Sequence, residues 1–389
     1  VHAALVENGL ESDFAVRAQI HPCPEMPVST VPPPAEKTGL RHWPARRREW
    51  KKREKLNELS SGRTNFSEPV SAYRPEQFAA LGRPDFYHLH WTTWFLDWAS
   101  TLPWLTERAP VVWTMHDMNP FSGIWHYQPE PGEIVPFLQT LDDNAIRIKK
   151  QTLQAIPEDR LCFVAPSTWM EEVARRSPLL ERFRIDRIPY GIDTECFAPM
   201  SKTTARKALG LPADAKIVGF ACEQIDDRRK GGILLEQALA KAPDPSVIQL
   251  TVGKRGHDAG IKNTDNARVD LGPVASDRVL RLFYNALDLF VIPSLQDNLP
   301  NTVIEAMACG IPVLGFDAGG IPDMVRPGIS GRLVPLGDVE VLSQAIVEMI
   351  ADPDELTQMG RQARELVETE YSYHECGRAH AVLYQALSN

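Results

Sequence analysis

The stretch PSLQDNLPNTVIEAMACGIPVLGFDAGGIPDMV, residues 293–325, decides the fold. An apolar run at residues 289–292 leads into it and predicts a buried strand, and a second apolar run follows at 313–316. Between the two runs lie a polar loop and a helical pattern that Gly310 ends. A strand, a helix and a second strand in this order are typical of a parallel α/β sheet, in which ligands bind beyond the carboxyl ends of the strands.

The stretch contains two carboxylates whose placement points to a ligand. Pro300 suits the first turn of the helix, and Asp297 or Asn298 could cap it. The free N–H groups at the amino end of the helix would bind an anion. Asn298 and Glu305 are about two helical turns apart, so we expect them on one face, where Glu305 would accept hydrogen bonds from sugar hydroxyls. The spacing is equally compatible with Glu305 pairing with a cation and Asp297 serving only as a cap.

A second charged turn, DDRRKGG at residues 226–232, follows the apolar strand pattern KIVGFAC. It places Arg228, Arg229 and Lys230 at a strand end, which suits a diphosphate, because arginine offers a planar fork and lysine a point charge. Taken alone, this pattern is explained better by a solvated basic turn that the two preceding aspartates balance.

The composition fits two ordinary globular domains. The chain has 389 residues, of which 43% are hydrophobic and 24% charged. Its net charge of −9 argues against general binding of nucleic acid. The six cysteines are scattered without metal-ligand spacing, which favours a reducing, cytoplasmic setting. No apolar run is long enough to predict a transmembrane helix.

Strand and helix patterns alternate in two regions of the chain. Strand candidates in the first region are SDFAVRAQ, DFYHLHW, PVVWTMHD and RLCFVAPS, and the second region runs from about residue 215 to 370. The turn IPYGIDTECFAPM separates the regions. We therefore predict domains over residues 1–195 and 196–373 and a terminal helix over 374–389. Because an α/β domain rarely opens on a helical pattern, as this chain does, we expect a first strand to be missing.

Taken together, these motifs resemble the large retaining, nucleotide-sugar-dependent glycosyltransferase family with the GT-B fold, often numbered four, and its glycogen-synthase-like branch. The signature of that family has two acidic residues separated by seven others, an alanine-rich helix, a glycine and a strand that ends in a Gly-Gly turn. Here these parts are Asp297, Glu305, AMACG, PVLGF and Gly319-Gly320. TMHD, VAPS, IPYGIDTECFAP, LGPV and VIPS agree in order, and HLHW with WTMHDMNPFSG resembles a branch that assembles exopolysaccharides.

The resemblance implies a fold and a set of site residues. The fold would be α/β, with two Rossmann-like doubly wound domains facing each other across a cleft and a C-terminal helix crossing back to the first domain. Catalytic roles would fall to Lys230 at the leaving diphosphate, to Asp297 at the transferred sugar and to His116 across the cleft. Glu305 would bind the ribose. The remaining donor-binding residues would be Arg228, Arg229, Gly253, Val274, Asn298, Leu299, Asn301 and Thr302.

Three departures from the family pattern affect this interpretation. The first acidic residue is Asp297 where the family usually has Glu. Glu223 and Gln224 stand where the family usually has a phosphate-binding arginine, so either Arg228 or Arg229 would replace it. The glycine-rich loop that follows the first strand in the family has no counterpart in this chain.

The implied mechanism needs neither a cofactor nor a metal. Lys230, an arginine and a helix amino end would stabilise the charge that builds on the leaving diphosphate, while the sugar becomes oxocarbenium-like. Asp142 and Asp143 resemble metal-binding carboxylates, but the amino-terminal turn of a helix explains them better.

Other side chains are weaker candidates for the site. His88 and His90 alternate along one strand and so share a face, where they would either line the acceptor side or pack as ordinary histidines. Trp125 and Tyr127 flank His126 and could stack on a sugar, although such aromatics more often belong to the core.

A basic segment over residues 41–55 combines eight Arg and Lys residues with Trp43 and Trp50. On an acidic protein such a segment resembles a peripheral contact with anionic lipid at the inner membrane face. A solvated helix or a loop is the alternative explanation and the slightly better one.

We therefore expect a cytoplasmic enzyme that transfers a hexose, with retention, from a UDP-sugar or another nucleotide sugar to a glycan or a lipid-linked oligosaccharide in polysaccharide biosynthesis. Nucleic acid is not among its expected partners. The alternatives are a non-catalytic nucleotide-sugar-binding subunit and, with less support from the motifs, a sugar-nucleotide epimerase on the same fold.

Overall fold

The computed structural model describes residues 2–17, 28–34, 43–60, 64–242, 244–255 and 267–388. Their contacts divide into two compact units. The first unit holds residues 2–166, 170–188 and 380–389, and the second holds 167–169 and 189–379.

The first unit is built on a parallel sheet with the strand order β3-β4-β5-β6, and β1 pairs with β2 in a separate parallel sheet. Its strands are β1 (Phe14–Val16), β2 (Val28–Thr30), β3 (Tyr87–Leu89), β4 (Val111–Thr114), β5 (Leu161–Ala165) and β6 (Arg184–Arg187). Its helices are α1 (His2–Glu7), α2 (Trp43–Ser60), α3 (Pro75–Phe78), α4 (Thr101–Arg108), α5 (Pro136–Ala155) and α6 (Thr168–Arg175).

The sequence patterns located some of these strands and missed others. Every residue of β4 and β5 is buried, because the sheet is covered on both faces, and such strands read as continuous apolar runs. The patterns did not predict β6 or β2. Strand β6 has the charged sequence RIDR and lies at the edge of the sheet, and strand β2 lies in a segment rich in proline.

The second unit contains a six-stranded parallel sheet with the order β12-β11-β10-β7-β8-β9. Its strands are β7 (Lys216–Gln224), β8 (Val247–Lys254), β9 (Ala267–Asp270), β10 (Leu289–Ile292), β11 (Val313–Phe316) and β12 (Gly331–Val334). Its helices are α7 (Lys202–Ala208), α8 (Gly232–Lys241), α9 (Asp277–Ala286), α10 (Asn301–Ala308), α11 (Ile321–Met324), α12 (Val339–Ile350) and α13 (Pro353–Glu370), and α14 (Tyr373–Ser388) follows them.

The strand order of the second unit is doubly wound and confirms the α/β fold class. The chain first adds strands on one side of β7 and then returns to add β10, β11 and β12 on the other side. The direction of winding therefore reverses between β7 and β10, and at such a point the loops that follow two neighbouring strands diverge and leave room for a ligand.

The end of the C-terminal helix α14, from residue 380 onward, belongs to the first unit. The Tyr384 ring stacks on Phe86 with 5.1 Å between ring centroids, and its hydroxyl is hydrogen-bonded to His88 Nδ1 at 2.7 Å. Among the described helices, none is long and apolar enough to cross a membrane.

Helix α2 carries most of the basic segment. Lys52 pairs with Glu68 at 2.6 Å, and the Lys55 ammonium lies 4.2 Å from the centre of the Phe137 ring, so one side of α2 packs on its own unit. Trp50 is 61% exposed. Arg41 and the side chains of Arg46, Arg48 and Arg53 lie outside the described residues.

Candidate active site

The loops that follow β7 and β10 meet at the switch point of the second sheet. The Leu295 N–H donates to the Arg229 carbonyl at 2.7 Å. Gly231 has a φ of +71°, and a Cβ there would lie 1.8 Å from the Pro293 carbonyl oxygen. Only glycine fits this backbone conformation and this approach, so Gly231 of the charged turn is required for the packing of the two loops.

Asp297 is the centre of charge at this junction. Its Oδ2 lies 2.6 Å from Lys230 Nζ and accepts a hydrogen bond from Ser294 Oγ at 3.2 Å. Its Oδ1 lies 3.7 Å from Arg229 Nη1. Asp297 is only 5% exposed, so these cations compensate a carboxylate that is largely removed from water.

The two arginines of the turn are placed differently. Arg229 is half-buried and donates from Nη1 to the Gln296 carbonyl at 2.8 Å, in addition to its approach to Asp297. Arg228 is exposed, as are Glu223 and Gln224 at the usual arginine position. Arg229 is therefore the arginine that lies with Lys230 at the acidic loop.

The Gly319-Gly320 turn holds this loop from the other side. The Gly320 N–H donates to the Asp297 carbonyl at 3.0 Å. A Cβ on Gly319 would lie 2.0 Å from that same carbonyl oxygen, and a Cβ on Gly320 would lie 1.8 Å from the Asn298 carbonyl oxygen. The turn after β11 thus fixes the loop after β10, a function that the sequence motif alone did not indicate.

Helix α10 starts later than the sequence suggested. It begins at Asn301, Pro300 occupies the capping position, and no side chain caps the helix. The capping prediction for Asp297 and Asn298 was wrong, because Asp297 binds Lys230, and Asn298 Oδ1 accepts a hydrogen bond from Ser167 Oγ at 2.7 Å. The predicted end of the helix is confirmed, since Gly310 has a φ of +77°.

Glu305 lies inside α10 and is hydrogen-bonded to a tyrosine. The Tyr284 hydroxyl donates to Glu305 Oε2 at 2.5 Å. Burial raises the pKa of Glu305 to about 7, and the bond from Tyr284 opposes part of that rise. The shared face predicted for Asn298 and Glu305 is not formed, because Asn298 precedes the helix and its side chain bonds to Ser167. No sequence pattern points to Tyr284, which lies on another helix, α9.

The remaining predicted donor residues occupy several positions in the second unit. Gly253 has a φ of +145°, and a Cβ there would lie 2.2 Å from the Cys222 carbonyl oxygen, so its place at the end of β8 depends on close backbone packing. Val274 follows β9 and is partly buried against the core. Leu299 is buried, Thr302 is half-buried and Asn301 is exposed. Among the predicted donor-binding residues, the structure thus brings Arg229, Lys230 and Asp297 into contact.

The first unit has its own cluster of histidines at the carboxyl ends of β3 and β4. His90 Nδ1 is hydrogen-bonded to His116 Nε2 at 2.9 Å, and the His88 and His90 rings stack at 4.3 Å, on one face as the alternation predicted. His380 of α14 joins the stack, with its ring centroid 5.2 Å from that of His88. Burial lowers the pKa of His116 to about 4, so the ring is neutral at pH 7.

A buried polar chain continues from the residue after His116. His126 Nδ1 lies 2.5 Å from Asp117 Oδ2, and His126 Nε2 lies 2.8 Å from Ser67 Oγ. Trp125 is 6% exposed and belongs to the core, so it offers no stacking surface to a sugar. Exposed indoles near the same sheet edge include those of Trp91 and Trp94, which the sequence patterns did not single out.

Metal binding finds no geometric support in the described part of the chain, where no cluster of three or more His, Cys, Asp or Glu side chains could hold an ion. Asp142 and Asp143 lie in the second turn of α5 and not in its first, so the helix-start explanation was wrong. Asp142 instead accepts a hydrogen bond from the Ile124 N–H at 2.7 Å.

Comparison with known proteins points to one family. Residues 215–352 match the family described as "Glycosyl transferases group 1". Over this segment of the second unit, the chain is similar to the group 1 glycosyl transferases. The matched segment runs from the start of β7 to the end of α12 and contains the Lys230–Asp297 junction and Glu305.

Curated proteins that this chain matches include two named D-inositol 3-phosphate glycosyltransferase. The one from Thermobispora bispora is 27% identical over 318 residues, which cover 75% of this chain and 68% of the relative. The one from Mycolicibacterium smegmatis is 35% identical over 179 residues, which cover 44% of this chain and only 41% of the relative.

Solved structures support the GT-B fold. Sucrose-phosphate synthase from Thermosynechococcus elongatus superposes with a TM-score of 0.69 at 22% identity, over 99% of this chain and 91% of that one. Anabaena HepE, solved in complex with UDP and glucose, superposes with a TM-score of 0.55 at 21% identity, over 72% of each chain.

Proposed function

We propose that this protein moves a hexose from a nucleotide diphosphate sugar, a UDP-sugar in the first instance, to a glycan or lipid-linked oligosaccharide, with retention of configuration, in polysaccharide biosynthesis. The contact of Lys230 and Arg229 with Asp297 at the switch point of the second sheet carries the proposal.

The charges at this junction suit a leaving diphosphate. Lys230 and Arg229 lie side by side at the end of a strand, and their charges are partly balanced by one carboxylate. Departure of the nucleoside diphosphate places negative charge on its oxygens, and cations already held by the fold stabilise that charge without reorganising at the moment of reaction. The free N–H groups at the start of α10 act in the same sense.

The nucleotide is assigned to the same unit. The Glu305 carboxylate accepts hydrogen bonds from the ribose hydroxyls, and the hydrogen bond from Tyr284 fixes the orientation of that carboxylate. HepE was solved with UDP and with UDP-glucose, which supports UDP as the first nucleotide to test. The assignment of Asp297 and His116 to the transferred sugar, the absence of a metal or cofactor, and a lipid contact through residues 41–55 remain predictions.

A transfer assay with radiolabelled UDP-sugars tests this function directly. We expect label to pass from UDP-glucose or another UDP-hexose to a glycan acceptor, with an α-linked product from an α-linked donor. The Lys230→Ala variant should reduce kcat at least about 100-fold, as loss of a charge-stabilising group does in other enzymes.

The exposed Lys207 in the last turn of α7 offers a matched control, because Lys207→Ala removes the same charge from another element of the unit. Equal turnover of Lys230→Ala and Lys207→Ala would contradict the phosphate assignment. Binding of UDP-sugars without transfer or hydrolysis would instead favour a non-catalytic nucleotide-sugar-binding subunit.

A further inference from the structure

Two tryptophans expose their indoles at the carboxyl edge of the first sheet. Trp91 is 63% exposed and Trp94 is 59% exposed. Both follow β3, which pairs in parallel with β4, so their loop leaves the sheet at the same edge as His116. Large aromatic side chains at the surface are unusual in a monomeric fold unless they contact something.

The backbone is strained to present Trp94. Its φ of +57° is the one positive value at a non-glycine position in the described ranges, and a side chain makes such a conformation unfavourable. Hydrogen bonds maintain it: Ser71 Oγ donates to the Trp94 carbonyl at 2.9 Å, and the Phe95 N–H donates to the Thr92 carbonyl at 3.0 Å. Phe95 turns inward against Tyr73 with ring centroids 5.2 Å apart, which leaves Trp94 directed outward.

Trp91 rests on a fixed ring. Its indole lies 5.7 Å from the His126 ring at an interplanar angle of 31°. His126 in turn is held by Asp117 and Ser67 at hydrogen-bond distances of 2.5 and 2.8 Å. One side of Trp91 is therefore supported, while most of its surface faces water.

The loops that follow β3 and β4 contribute no cation of their own. Their sequences, at residues 90–100 and 115–129, contain neither Lys nor Arg. Two cations from elsewhere in the unit reach these loops, but each already has partners: Arg74 Nη1 lies 2.6 Å from Asp97 Oδ1, and Lys149 Nζ donates to the Ser122 and Gly123 carbonyls at 3.2 and 2.7 Å. His116 is neutral at pH 7 because burial lowers its pKa to about 4. A phosphorylated acceptor would need cations to replace its water of hydration.

We propose that Trp91 and Trp94 form a platform that binds the face of an uncharged sugar ring of the glycosyl acceptor. The C–H groups on one face of a pyranose pack against an indole, while its hydroxyls stay in water or reach polar neighbours, and an indole offers this contact with little loss of side-chain freedom. The inference rests on the proposed transferase function. It differs from the acceptor in the names of the relatives, which carries a phosphate.

Binding of the acceptor can be measured apart from turnover. Saturation-transfer NMR with methyl glycosides of neutral disaccharides should show transfer from indole protons to sugar protons in the wild type and in Trp50→Ala. In Trp94→Gly, which also relieves the positive φ, and in Trp91→Ala, the signal should fall to background. Titration with UDP should give the same Kd in all variants, because the substitutions lie in the other unit.

The kinetic counterpart uses the same variants. We expect Trp94→Gly to raise the acceptor KM about tenfold or more, which is equivalent to about 1.4 kcal/mol. The donor KM and the rate of UDP-sugar hydrolysis should not change. The Trp94→Tyr variant should keep most of the wild-type acceptor affinity. Trp50 is equally exposed on α2 and serves as the control.

Three outcomes would overturn the platform. The first is a preference for inositol phosphate over neutral glycosides. The second is equal acceptor binding by Trp94→Gly and Trp50→Ala. The third is binding of octyl glycosides without binding of the matching methyl glycosides, because the indoles would then hold an alkyl chain and not a sugar. Failure of the transferase proposal itself would look different, as loss of UDP binding and of sugar transfer in the wild type.

Discussion

Lys230 Nζ lies 2.6 Å from Asp297 Oδ2, although the two residues are 67 positions apart in the chain. The first follows β7 and the second follows β10, the strands between which the winding of the sheet reverses. The ion pair therefore joins the two loops that border the expected ligand position. It holds the Lys230 ammonium in place before any diphosphate arrives.

This pair should be energetically coupled. We expect Lys230→Ala and Asp297→Asn each to lower the free energy of unfolding, and the double variant to be more stable than the sum of the two losses predicts by about 1–2 kcal/mol. The reason is that Asp297 is 5% exposed and Lys230 is its nearest cation. Urea unfolding of the four proteins without ligand measures the coupling, and strict additivity would show that Arg229 alone compensates the carboxylate.

Arg229 and Arg228 form a natural pair of test and control. Arg229→Ala should weaken UDP binding about 10- to 100-fold, as loss of a charge-assisted contact to phosphate does. Arg228→Ala should change it less than about threefold, because an exposed cation contributes little. Isothermal titration with UDP separates the two, and equal losses would mean that the diphosphate lies between them.

Stability should depend on pH through Glu305. Its pKa is raised from about 4.5 to about 7 by burial, so the folded state favours the neutral carboxyl. The unfolded chain releases this proton near pH 4.5, so the free energy of unfolding should fall as the pH rises from about 4.5 to 7 and level off above pH 7. The Glu305→Gln variant should lack this part of the decline.

The size of the effect follows from the shift. The variant should be more stable than the wild type at pH 8 by about 1–3 kcal/mol, and by much less at pH 5. Chemical unfolding at several pH values without nucleotide makes the comparison. A difference between the two proteins that does not change with pH would contradict the raised pKa.

Gly320 should not tolerate a methyl group. Its φ is −91°, which alanine adopts freely, but a Cβ would lie 1.8 Å from the Asn298 carbonyl oxygen. Gly320→Ala should therefore displace the acidic loop, lower the free energy of unfolding by about 3 kcal/mol or more, and abolish UDP binding. Gly132→Ala, where no atom lies within 4 Å of the new Cβ, is the control and should change neither property. Wild-type UDP affinity in Gly320→Ala would show that the loop is free to move.

Much of the second unit can be predicted from the sequence, because the features that mark its strands and helix ends lie in short stretches of the chain. The apolar runs located β7, β10 and β11, and the position of Gly310 located the end of α10, since strand burial and the left-handed conformation leave marks in short stretches. The motifs shared with the family point to Lys230, Asp297 and Glu305 from the sequence alone. The same patterns do not locate strand β6, whose charged sequence lies at the edge of the sheet, or the start of α10.

What the sequence alone determined is the fold class, most of the strands and the identity of the charged residues, because periodicity and motif spacing are written in consecutive positions. Only the tertiary structure decided which arginine approaches Asp297, that Tyr284 binds Glu305, and that Trp125 is buried while Trp91 and Trp94 are exposed. These relationships join residues from separate elements. They depend on strand order, loop approach and the packing of neighbouring side chains, none of which a short window of sequence contains.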